Sequence, residues 1–138
     1  MDALISLLHE GAYSCVIRKG AEVRTFHKRG VADLYFLLEN EPEFLLGAFV
    51  ADKVVGKGAA ALMVLGGVKH VYTDVISTPA LDLFKTYGVE VSFSEATDRI
   101  VNRTKDGLCP VETLCLNLGS PADMLNEIRQ FINNRTNG

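Results

Sequence analysis

The sequence predicts an α/β fold, a three-layer sandwich in which helices flank a mixed five-stranded sheet. Three observations carry that expectation. Segments of strand and helix character alternate through the middle of the chain with short connections, which makes neighbouring strands parallel and their crossovers right-handed. Two short strands near the start are separated by Lys19-Gly20-Ala21-Glu22, a turn with glycine, and read as an antiparallel hairpin. The apolar residues of Leu45 to Ala51 run nearly unbroken, as expected of a strand covered on both faces.

Taken in order, Leu4, Ile5, Leu7 and Leu8 make a short amphipathic helix ended by Gly11, and Ser14 to Arg18 and Val23 to His27 form the hairpin. Gly30 opens a helix through Val31, Leu34, Tyr35, Leu37 and Leu38. It stops before Glu41-Pro42, because the residue preceding proline resists the helical region. After the strand Leu45 to Ala51, the segment Gly56 to Leu65 is apolar on every side, so it reads as a buried helix, ended at Gly66-Gly67 by a left-handed cap. His70 to Ile76 is rich in β-branched residues and reads as a central strand. Pro79 sits in the first turn of a helix carrying Leu81, Leu83, Phe84 and Tyr87, which Gly88 terminates. Val89, Val91 and Phe93 alternate with Glu90 and Ser92 as a half-exposed strand. A polar stretch from Asn102 to Gly107 and a short helix near Cys109 to Leu116 follow. Ser120 then caps a last helix with Met124, Leu125, Ile128, Phe131 and Ile132 on one face.

All of this fits one domain over residues 1–138, with a core of about 12–117 and a C-terminal helix of about 120–135. Hydrophobic residues make up 48% and charged residues 22%, which sets the chain apart from disordered sequences. The net charge is −3, and Arg24, Lys28 and Arg29 are its main basic cluster, which argues against a nucleic-acid groove. No stretch reaches the roughly 18 apolar residues of a membrane span, and the start carries no basic leader, so a cytoplasmic protein is expected. Cys15, Cys109 and Cys115 are odd in number and none pairs at C-x-x-C spacing, so neither a disulfide framework nor a zinc knuckle is indicated.

The element order resembles that of the cytidine deaminase fold. Three motifs sharpen the likeness: Asp52-Lys53-Val54-Val55-Gly56-Lys57-Gly58, Asp74-Val75-Ile76-Ser77, and Asp106-Gly107-Leu108-Cys109-Pro110-Val111-Glu112. Together they look like an uncharacterised bacterial family, a domain of unknown function with a cytidine-deaminase-like fold that lacks the zinc site. The resemblance covers roughly residues 12 to 117 and implies a fold and a pocket position; the family's chemistry is itself unassigned. The zinc deaminases hold their metal with a His or Cys at the first helix start and two Cys at the second, beside a catalytic Glu. Here those places offer Lys57, Gly58 and Ala59, then Ser77, Thr78 and Pro79. Protonated lysine has no acceptor and serine is a poor zinc ligand, so a zinc-dependent deaminase is not expected, and no cofactor is implied.

In open α/β sheets ligands bind beyond the carboxyl ends of the strands, where helix starts offer unpaired N–H groups. That crevice lies between the turn after Ala51 and the turn after Ile76. Gly56 and Gly58 permit close backbone approach, Lys53 and Lys57 add positive charge, and the helix dipole favours an anion. A nucleotide or phosphorylated metabolite is the expected ligand, with Asp52, Asp74, Ser77, Arg103, Asp106 and Glu112 as further lining residues. The alternative is that Gly58 and the alanines only pack the helix tightly on the sheet. Asp52 and Asp74 could instead cap the following helices, although Ser77 or Thr78 has the stronger claim before Pro79. Cys109, ahead of Pro110 at a helix start, is the candidate nucleophile and Lys57 the candidate electrostatic stabiliser, against a structural role for Cys109. Cys115 reads as core and His70 as an ordinary packed or edge histidine. Two further readings compete with ligand binding: a non-catalytic regulatory module assembling as a homodimer or higher oligomer, and a redox-responsive protein acting through Cys109.

Overall fold

A computed structural model describes residues 2–27, 31–98, 115 and 118–137. Its elements are α1 (Asp2–Glu10), β1 (Cys15–Lys19), β2 (Glu22–Phe26), α2 (Ala32–Asn40), α3 (Pro42–Leu45), β3 (Phe49–Val55), α4 (Lys57–Gly66), β4 (His70–Ser77), α5 (Thr78–Tyr87), β5 (Glu90–Thr97) and α6 (Pro121–Asn137). The five strands form one mixed sheet in the order β2-β1-β3-β4-β5. β1 is antiparallel to both β2 and β3, whereas β3, β4 and β5 run parallel. The hairpin and the two parallel crossovers are those expected from the sequence.

Two apolar clusters fill the two sides of the sheet. On one face α1 places Leu4 and Leu8 against Val16 and Ala51. On the other, the larger core takes Ile17, Val50 and Val71 from the sheet and residues of α2 to α6, with Phe84 and Leu62 among its fully buried side chains. α4 lies at its centre. Gly58, Ala59, Ala60 and Ala61 are all buried, and their small side chains let this helix approach its neighbours closely. A Cβ on Gly66 would stand 2.9 Å from the Leu45 Cβ, which shows how tightly α3 and α4 abut.

Local signals set the helix ends. Gly67 and Gly88 cap α4 and α5 with φ of 77° and 74°, a conformation open to glycine at little cost. Ser77 caps α5 by accepting the Ala80 N–H at 3.2 Å, ahead of Pro79 in the first turn. At the edge, Arg24 grips both carboxylate oxygens of Glu41 at 3.0 and 3.1 Å and lies 4.0 Å over the Phe44 ring, tying β2 to the α2–α3 corner.

The main departure from expectation concerns β3. The strand expected at Leu45 to Ala51 runs instead over Phe49–Val55, and Pro42–Leu45 forms α3 with proline in its first turn. Asp52 and Lys53 are therefore strand residues, not members of the turn before α4. β5 is also more exposed than expected: Ser92 to Ala96 all face solvent, and Phe93 is 40% exposed.

Candidate functional site

The carboxyl ends of β3 and β4 lead into the starts of α4 and α5, and the two starts differ. α5 is closed by its own Ser77. α4 begins at an extended Gly56 (φ −96°, ψ −179°) and has no side-chain cap. Its first intrahelical bond runs from the Ala60 N–H to the Gly56 carbonyl at 3.0 Å. Gly58 and Ala59 in this first turn are buried, so the start of α4 faces the interior of the fold. Ser77, expected among the ligand contacts, serves instead as a cap, which was its alternative reading.

Beneath that helix start lies a row of polar residues on the core side of the sheet. Register sets Cys15 of β1 opposite Asp52 of β3, and Asp52 opposite Thr73 of β4. Cys15 and Thr73 are buried and Asp52 is half-buried. Burial pushes the Asp52 carboxyl up to about 7; the Val54 and Lys53 amides and the Cys15 thiol pull it back, and the charge of Asp74 adds to the rise. The Cys15 thiol is itself held well above its ordinary value, first by burial and then by the Asp52 carboxyl and the charge of Asp33.

This row also disturbs the strands that carry it. Asp52 Oδ1 accepts the Val54 N–H at 3.4 Å, and the Thr73 hydroxyl donates to the Val75 carbonyl at 2.8 Å. Val50 and Val55 both join the larger core although they stand five positions apart, an odd offset, as do Val71 and Ile76. The two-residue alternation of both strands therefore slips once at the same level of the sheet, where side chains take up backbone groups.

Asp74 does not join Asp52. Its carboxylate accepts the Tyr72 hydroxyl at 2.6 Å and bonds His9 Nε2 at 2.8 Å, which ties the end of α1 to β4 on the opposite face of the sheet. Asp74 and Asp52 thus leave the sheet on opposite sides because they sit one pleat apart, and neither caps a helix. The expected single crevice lined by both carboxylates is corrected accordingly: Asp52 lies on the larger-core side of the sheet and Asp74 on the α1 side. His70 fits its plain reading, with Nδ1 3.4 Å from Glu90 and its ring edge-on to Phe49. Cys115 is fully buried in the larger core, as expected. Cys109, Arg103, Asp106 and Glu112 lie outside the described residues.

Among the described residues no group of three His, Cys, Asp or Glu is placed to hold a metal ion. At the two helix starts, Lys57, Gly58 and Ala59 and then Ser77, Thr78 and Pro79 offer neither imidazole nor thiolate, so the donor set does not fit the zinc of the deaminases. No described helix is long and apolar enough to cross a membrane. A surface cavity of about 510 Å³ opens beside α2 rather than at α4, between Phe26, Asp33, Tyr35, Phe36 and Ile132. Phe26 in its wall is the other register partner of Cys15.

Cys15 is the residue that sequence reasoning passed over. Its partners come from β2 and β3, so only strand register brings them together. A protonated, buried thiol is a poor nucleophile. In the native protein Cys15 is therefore expected to resist alkylation by iodoacetamide, and Asp52→Asn, which removes the neighbouring carboxyl charge, to quicken labelling. Peptide mass mapping of alkylated Cys15 reads both, and rapid labelling of the native wild type would contradict the burial described.

Residues 3–132 match the description of a domain of unknown function, DUF1893, also called TM1506. The chain is similar to the crystal structure of a DUF1893 family protein (TM1506) from Thermotoga maritima. The two share 25% identity at a TM-score of 0.86, over 94% of this chain and 87% of the other. No curated protein matches the sequence.

Proposed function

The chain belongs to the DUF1893 family, which is of unknown function, and from its site we propose that it binds an anionic small molecule, a nucleotide or phosphorylated metabolite, at the start of α4. The observation that carries this reading is the contrast between the two helix starts. α5 is satisfied by Ser77, whereas α4 opens at Gly56 without a side-chain cap, directly after the strand bearing Asp52. A helix start of this kind favours negative charge through its N–H groups and its dipole. Gly56 and Lys57 are only partly buried at that start, and Lys57 adds charge of the right sign. The resemblance of the element order to the deaminase fold supports a pocket in the same region, beyond the carboxyl ends of β3 and β4. If a reaction follows binding, Cys109 as nucleophile and Lys57 as electrostatic stabiliser are the groups we assign to it, with Arg103, Asp106 and Glu112 around the ligand. We infer a cytoplasmic location. The reading as an interaction module draws support from a different observation, the exposure of edge strand β5.

A thermal-shift panel of nucleotides, nucleosides, dinucleotides and sugar phosphates, run with and without a chelator, tests the ligand reading. A ligand at about 100 times its Kd adds about 2.7 kcal/mol, a shift of several degrees for a domain of this size. Loss of one charge-assisted contact costs about 1.5–3 kcal/mol, so Lys57→Ala is expected to weaken binding roughly 10- to 100-fold while the melting curve without ligand stays close to wild type. A flat panel, or a hit that Lys57→Ala leaves unchanged, would overturn the assignment to α4.

A further inference from the structure

The two edges of the sheet are finished differently. β2 is five residues long, and its Arg24 is locked between Glu22 and Glu41. Short edges carrying held charges resist pairing with another chain. β5 is eight residues long and pairs with β4 along its length, and among the described residues its outer edge is the margin of the sheet. It contains no proline and no lysine or arginine, and its side chains from Ser92 to Ala96 are exposed on both faces. Such an edge presents a row of backbone donors and acceptors ready for another strand.

We propose that the outer edge of β5 is a dimer seam, at which two copies of this chain pair antiparallel about a two-fold axis through Phe93 and continue the sheet from one copy into the other. The register follows from symmetry and charge. A two-fold axis perpendicular to the sheet keeps every side chain on its own face, so each residue opposes itself or one an even number of positions away. Centred on Phe93, the pairing sets Glu90 against Ala96, Val91 against Glu95, and Ser92 against Ser94. No two acidic residues face each other. Centred on Ser94, it would set Glu90 against Asp98, a costly like-charge pair. Centred on Ser92, it would shorten the overlap to Glu90 through Ser94. At the chosen centre the 40%-exposed Phe93 ring meets its symmetry mate on one face of the sheet, and an aromatic cross-strand pair is among the stabilising ones. The seam forms whether or not the α4 site holds a ligand.

Light scattering on the purified full chain tests this, together with two substitutions. The wild type is expected at twice the 15.1 kDa chain mass. Phe93→Glu sets two carboxylates face to face on the axis and is expected to halve the mass with an unchanged circular dichroism spectrum. Phe93→Cys is expected to give, under mild oxidation, an interchain disulfide at the axis, linking the substituted position of one copy to the same position of the other and seen by peptide mass mapping. This second variant decides the matter if Phe93→Glu fails to fold. A monomeric wild type, a dimer that survives Phe93→Glu, or a Phe93→Cys dimer that forms no such bridge would each overturn the proposal.

Discussion

Asp52→Asn is expected to stabilise the protein, by an amount that grows as the pH rises from about 4 to about 8. The free carboxyl of an unfolded chain loses its proton near pH 3.9, whereas the folded protein holds Asp52 protonated up to about 7. Below the unfolded value both states carry the proton and Asp52 contributes no pH dependence. Between the two values the unfolded chain releases a proton that the folded chain keeps, so stability falls as pH rises. Above about 7 the full cost of a charged, half-buried carboxylate is present. Three pH units correspond to about 4 kcal/mol as a ceiling, and partial exposure reduces that to about 2–4 kcal/mol. Asparagine has nearly the same shape and cannot ionise. Comparing variant and wild type by denaturant unfolding at each pH cancels the other titrating groups. A difference that stays flat from pH 4 to pH 8 would mean that Asp52 ionises freely, and the polar row beneath α4 would lose its electrostatic character.

That row marks the boundary of what could be read from the sequence. Local signals were legible: glycine at 67 and 88, serine at 77 ahead of Pro79, and the hairpin turn each have a short-range cause, and the structure places them as expected. The start of β3 was not. Leu45 is apolar enough for a strand, yet Pro42 in a first helical turn winds it into α3. Asp52 and Lys53 looked like a polar turn, because a carboxylate inside a parallel strand is expensive unless it is bonded or neutral. Here Asp52 is held by the Val54 amide, and burial keeps its proton on up to about 7. The Cys15–Asp52–Thr73 row depends on pairing between strands far apart in the chain. The separation of Asp52 from Asp74 needs the register as well, for without it two acids near two strand ends look like one site.

Phe84→Ala is expected to have the largest effect of any single truncation considered, a loss of about 3–5 kcal/mol, because deleting a buried ring forfeits its transfer energy and leaves a cavity. Phe84 is the bulkiest of the fully buried side chains and anchors α5 in the larger core beside Ala80 and Leu83. Since domains are typically stable by only about 5–15 kcal/mol, this removes a large share of the total and should lower the melting temperature by roughly 10–20 °C. Phe84→Leu keeps most of the volume, so its cost should fall well below that of alanine, about 1–2 kcal/mol. Phe36→Ala supplies the contrast: the ring is 56% exposed, and the same deletion there should cost well under about 1 kcal/mol beyond any local contact. Equal losses at positions 84 and 36 would show that α5 is not anchored as described. The ordering also bears on the site, because α5 follows directly from Ser77 at the end of β4 and packs against α4.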